Sequence, residues 1–86
     1  MNDPLVLQQS KSFGQRVVRL QKEMEQRIEY VYLTALSRRP DESELQKSKS
    51  FIESHADRLK LNVDSEKVWA DFCHVIFNVK EFIWLN

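Results

Sequence analysis

The sequence predicts an all-α protein: a small bundle of about four helices plus a short C-terminal helical segment. Three observations carry this expectation. The 86 residues include one Gly and two Pro against 30% charged residues, a composition of helices rather than of a turn-rich β fold. Apolar residues recur at three- and four-residue spacing through most of the chain. The few turn signals fall between these periodic stretches and coincide with helix-capping patterns. At this length a single domain over residues 1–86 is expected, and it buries only roughly 60% of the surface its unfolded chain exposes.

The first helix opens at Asn2-Asp3-Pro4, with Asp3 as N-cap and Pro4 at the first helical position, where its missing N–H is no loss. Val6, Ser10, Phe13, Val17, Leu20 and Met24 form its apolar stripe. Gly14 sits beside that stripe. Glycine inside a helix is unfavourable by roughly 0.5–1 kcal/mol relative to alanine, so its use there implies close approach by another backbone. A second periodic stretch runs from about Glu23 to Ser37, with Met24, Ile28, Val31, Tyr32, Ala35 and Leu36 on one side. No Gly or Pro separates the two stretches, which could form one bent helix over residues 4–37. One straight helix of that length would reach on the order of 50 Å, too long for so small a globule to cover. A break near Gln21–Glu25 is therefore expected.

The segment "SRRPDESEL" ends the second helix at Pro40 and opens the third with Asp41 and Glu44, a capping-box pair. That helix is expected to reach about Leu59, burying Leu45, Phe51 or its neighbour Ile52, Ala56 and Leu59. "KLNVDSE" reads as a loop, and Asp64 or Ser65 caps a fourth helix running to about Asn78. A turn and a short folded-back helical segment are expected from Val79 to Leu85. The aromatic end "FIWLN" fits an excised piece of something larger.

Thirteen basic residues balance thirteen acidic ones, and the longest basic cluster is Arg38–Arg39. That pattern opposes a nucleic-acid interface, including a helix-turn-helix around Ser37–Leu45. No apolar run approaches the roughly 20 residues that span a bilayer, so membrane insertion is not expected. The lone cysteine, Cys73, stands beside His74 in "DFCHVIFN". Adjacent helical residues point about 100° apart. Cys73 therefore joins the inward face of Val68, Trp69, Phe72, Ile76 and Phe77, while His74 joins Lys67, Asp71 and Asn78 opposite. Such a pair cannot grip one metal, and no Cys-x-x-Cys-His run exists to attach haem. His55 has no metal-ligating partner at suitable spacing, and His74 is expected to pair with Asp71. Neither a catalytic residue nor a cofactor or metal site is assigned. The Asp41, Glu42 and Glu44 cluster suits a helix N-terminus and lacks the alternating ligands and central Gly of a calcium loop.

Arg27, Arg38, Asp71 and Glu81 flank apolar segments and are candidates for ion pairs that tie helix ends together, with Glu81 accepting from Arg27 or Arg38. The aromatics lie among Val, Ile and Leu, as core residues do. Trp84 and Tyr30 are the expected exposed members of an interaction patch.

"RIEYVYLTALSRRPDESEL" (Arg27 to Leu45) and "WADFCHVIFNVKEFIWL" (Trp69 to Leu85) resemble the C-terminal end of the planctomycete-type PSD domain, a domain of unknown function; "NDPLVLQQSKSFGQRV" is similar to the helix that precedes those motifs there. The resemblance matches Arg27, Arg38, Asp71, Asn78 and Glu81 as pattern-defining residues without assigned roles. It also shows Ser37 where the family has Gly, and Arg39 where it has Pro. It implies a secreted or envelope-directed parent, often carrying cytochrome-c-like domains upstream. The functional expectation is a non-catalytic structural or interaction module that docks other domains of that parent and self-associates weakly. The alternative is a contribution of residues to a composite enzyme or electron-transfer site.

Overall fold

The computed structural model describes the backbone of residues 4–85 and the side chains of residues 8–79. Four helices follow one another: α1 (Pro4–Leu20), α2 (Met24–Leu36), α3 (Glu42–Leu59) and α4 (Glu66–Leu85). The break between α1 and α2 falls where rod length demands it, within residues 21–23. Glu23 is extended there (φ −97°, ψ 145°), without a side-chain cap. The cap expected at Asp3 and the stripe position Val6 lie outside the described residues and side chains.

Local chemistry explains each later boundary. Ser37 closes α2 in the left-handed conformation (φ 58°), its N–H donating to the Leu33 carbonyl. It takes this conformation without the glycine that usually serves there. The capping box of α3 is present in full: the Glu44 N–H donates to Asp41 Oδ1 at 2.8 Å, and the Asp41 N–H donates to Glu44 Oε1 at 2.9 Å. α3 ends in a Schellman pattern around left-handed Lys60: the Leu61 N–H reaches the Ala56 carbonyl and the Lys60 N–H reaches that of Asp57. Ser65 begins α4, its Oγ accepting from the Lys67 N–H at 3.2 Å.

α4 does not turn at Val79. It continues to Leu85, contrary to the separate final segment expected from the sequence. Neither Gly nor Pro interrupts Asn78 to Leu85, so nothing local ends the helix.

The core contains Phe13, Val17, Ile28, Val31, Tyr32, Ala35, Ile52, Ala56, Val68, Trp69, Phe72, Cys73 and Ile76. On α3 it is Ile52 that is buried, with Phe51 and Leu45 packed at its margin. Leu20 and Leu59 depart from expectation, being exposed where the helices end. The periodic pattern places them on the right faces, but the last turn of a helix projects past the body it packs against. Burying a side chain such as Ile52 or Val17 contributes about 1.5–3 kcal/mol, so a core of this size leaves little margin.

α1 and α4 share the largest interface. Gly14 permits it. A Cβ added at Gly14 would lie 2.6 Å from the Ala70 amide nitrogen and 2.7 Å from its Cα. The close approach expected from the glycine is thus made by α4. Gly14→Ala is expected to destabilise the protein by about 1–3 kcal/mol in urea unfolding, because backbone rather than a flexible side chain must yield. Ser37→Gly is expected to act oppositely, raising stability by about 0.5–1 kcal/mol as the left-handed penalty is relieved.

Candidate functional site

Arg27 begins as one polar residue in an apolar helix face, flanked by Ile28 and Val31. Folding buries it, with 6% of its side chain exposed. A buried guanidinium must satisfy its N–H groups and offset its charge. Arg27 Nε donates to the Gln21 carbonyl at 2.7 Å, Nη2 to the Val18 carbonyl at 3.3 Å, and Nη1 to Asp64 Oδ1 at 2.7 Å. Two of these acceptors belong to the last turn and exit of α1, where helical carbonyls lack intrahelical partners. The third stands in the α3–α4 connection. Trp69 completes the arrangement: its ring lies 5.5 Å from the Arg27 guanidinium carbon, and its Nε1–H donates to the Val63 carbonyl at 2.7 Å. One side chain thus fastens the α1–α2 and α3–α4 connections side by side.

Around this junction Leu20, Leu59, Leu61 and Val63 stand 56%, 37%, 42% and 36% exposed. Each lies in or beside a connection that Arg27 joins. Periodicity does not reveal this, because it assigns each residue singly to a stripe or a loop. The available signal was the run of three aliphatics inside the polar segment "LKLNV".

Arg38 lies past the other end of α2. It forks onto Glu44, Nη1 and Nη2 donating to Oε1 and Oε2 at 2.7 Å each. Those bonds, with the Asp41 N–H, hold the Glu44 carboxyl down at about 2. The pair is half in water and acts as a staple over the α2–α3 turn. Arg27 and Arg38 therefore reach Asp64 and Glu44. The Glu81 and Trp84 side chains, named with them from the sequence, lie outside the described residues. Tyr30 is half-buried and packs on Phe13, ring centroids 5.7 Å apart, rather than standing out from the surface.

Asp71 joins α4 to α3. His55 Nε2 donates to its Oδ2 at 2.7 Å, and Lys67 Nζ donates to its Oδ1 at 3.0 Å. Arg58 Nη2 donates to His55 Nδ1. Since a guanidinium can only donate, Nδ1 must be the acceptor and Nε2 must carry the proton. Burial acts to raise the Asp71 carboxyl, but the bonds from His55 and Lys67 outweigh it and hold the group below its usual range. His55, without a metal-ligand partner in the sequence reading, is thus a structural bridge. Asp71 and His74 also line a groove of about 460 Å³ between α1 and α4, with Lys11 and Glu66 among the other walls. Both charge signs meet in it, and the buried Ser10 hydroxyl in its wall makes no hydrogen bond among the described residues.

Cys73 is fully buried, and burial pushes its thiol up to about 12. The sulfur packs as a small apolar group. Among the described residues no three His, Cys, Asp or Glu side chains gather to hold a metal. Among them also, no helix is long and apolar enough to cross a membrane.

A family model described as PSD1, a protein of unknown function (DUF1553), matches residues 1–52, which take in α1, α2 and the first part of α3. The resemblance over Trp69 to Leu85 lies beyond the matched residues. No curated protein and no solved structure matches the chain.

The Arg27 junction makes a direct prediction. Arg27→Ala is expected to destabilise by about 3 kcal/mol, since two carbonyls and a carboxylate lose their donor. Arg27→Lys should recover less than half of that, because an ammonium cannot span the three acceptors. Asp64→Ala, at an exposed partner, should have an effect of only about 1 kcal/mol. Chemical denaturation of the three variants measures all of this.

Proposed function

We propose, from the premise that this chain belongs to the PSD1 family of unknown function (DUF1553), that it is a docking module without a reaction of its own. It seats another protein surface, such as a neighbouring domain of a larger parent chain, on its exposed aliphatics. A parent of the secreted or envelope-directed, cytochrome-associated kind that the resemblance implies would supply such domains.

The observation that carries this reading is the exposure of Leu20, Leu59, Leu61 and Val63 in and beside the two connections that Arg27 joins. Scattered exposed aliphatics are normal on any protein, but several in and beside two joined connections of so small a domain are the composition of a contact surface. The state of the reactive candidates supports the same reading. A thiol pushed up to about 12 is not a thiolate at neutral pH, and a carboxylate already engaged by His55 and Lys67 is not free to act as a base.

Sedimentation velocity tests the reading. Aliphatics left uncovered should bring copies together weakly at high concentration, more so in salt, which screens the charges around them. The triple variant Leu20→Ser, Leu61→Ser, Val63→Ser should keep the helical signal and lose the association. A wild type that sediments as a strict monomer at every concentration and salt would remove the support for docking.

A further inference from the structure

The groove between α1 and α4 contains a polar group that the fold leaves unused. Ser10 is 2% exposed, and its hydroxyl makes no hydrogen bond among the described residues. A buried hydroxyl without a partner is unfavourable to the folded state, and alanine would fill the same place without that penalty. Ser10 lines the groove of about 460 Å³, a size that suits a small molecule. Beside it stands Ala70, whose backbone packs against Gly14, so small residues rather than long side chains build this part of the wall. The rest of the lining carries two cations, Lys11 and Lys67, and two anions, Glu66 and Asp71. Lys67 and Asp71 are bonded to each other at 3.0 Å. Lys11, on α1, and Glu66, on α4, make no ion pair among the described residues. An ion of one sign would meet as many like charges as opposite ones there, whereas a ligand carrying both signs finds a partner for each.

We propose that this groove binds a small zwitterion of the amino-acid or dipeptide class, with Lys11 taking its carboxylate, Glu66 its ammonium and the Ser10 hydroxyl one of its polar atoms. The hydroxyl turns to the ligand by rotation about its Cα–Cβ bond to another staggered position. Its burial then favours binding, because a hydrogen bond made away from water, at a group with no competing partner, is electrostatically stronger. The Gln15 amide, in the α1 wall, offers both a donor and an acceptor to the same ligand. The inference goes beyond the docking reading and does not depend on it, since it uses none of the exposed aliphatics.

The test titrates the whole chain with alanylalanine, its N-acetyl form and its C-terminal amide, and reads binding from amide shifts. At neutral pH the first probe carries both charges, the second only the carboxylate and the third only the ammonium. Alanylalanine is expected to bind about tenfold tighter than either blocked form, the value of one charge-assisted hydrogen bond. The largest shifts should fall at residues 10–15 and 66–74. Lys11→Gln should bring alanylalanine down to the level of the amide, and Glu66→Gln to the level of the N-acetyl form. Ser10→Ala should weaken binding about tenfold while its urea midpoint equals or exceeds that of wild type. That combination separates a ligand contact from a structural role, which would lower the midpoint. Absence of shifts at these residues with all three probes overturns the proposal. Equal binding of the three overturns the zwitterion assignment, and undiminished binding by Ser10→Ala overturns the assignment of the hydroxyl.

Discussion

A single buried cation sets the geometry on which the rest of this bundle depends. Arg27 lies on the apolar face of α2, and once enclosed it must find acceptors for its donors and a carboxylate for its charge. It finds them in the Val18 and Gln21 carbonyls and in Asp64. The chain is thereby obliged to break after α1 in a particular way, because the break brings two unpaired carbonyls to the guanidinium. It is equally obliged to carry the α3–α4 connection back to the same point. Trp69 then roofs the guanidinium and anchors the connection through Val63. The aliphatics Leu20, Leu59, Leu61 and Val63, in and beside the two connections that Arg27 joins, are left exposed.

The second constraint is steric. Gly14 and Ala70 let α1 and α4 approach until backbone meets backbone, and this places Trp69, Phe72 and Cys73 deep against Phe13, Val17 and the α2 face. Enclosure of the cysteine follows from that approach rather than from any feature of the thiol. The sulfur of Cys73 is packed in the core, and the Asp71 carboxylate, bonded by His55 and Lys67, ties α4 to α3.

Much of the fold was legible because its signals are local. The Asp41–Glu44 box, the Ser65 cap, the rod-length argument for a break before Met24 and the meaning of Gly14 each need only a few neighbouring residues. The inward face of α4 through Cys73 was legible from periodicity. What failed was equally physical. Helical spacing says which side of a helix a residue occupies but not whether anything lies beyond it, so Leu20 and Leu59 were misjudged as core. The continuation of α4 past Val79 was missed by reading a cluster of aromatics as a chain reversal, although no residue there breaks a helix. Asp64 lies 37 residues from Arg27 and His55 lies 16 from Asp71, and pairing over such separations leaves no periodic trace. Ser37 shows the opposite case: the departure from glycine raised doubt over the exit of α2, yet the backbone accepts the left-handed conformation at that serine.

Native-state hydrogen exchange in wild type and Arg27→Lys tests most directly whether one guanidinium couples the two connections. The amides to follow are those of Gln21, bonded to the Val17 carbonyl, and Ser65, bonded to that of Asn62. With the fork replaced by a point charge, both should lose protection together, while amides in the middle of α3 keep theirs relative to global stability. If Gln21 alone opens, or if neither changes, the connections are held independently and Arg27 is not the element that joins them.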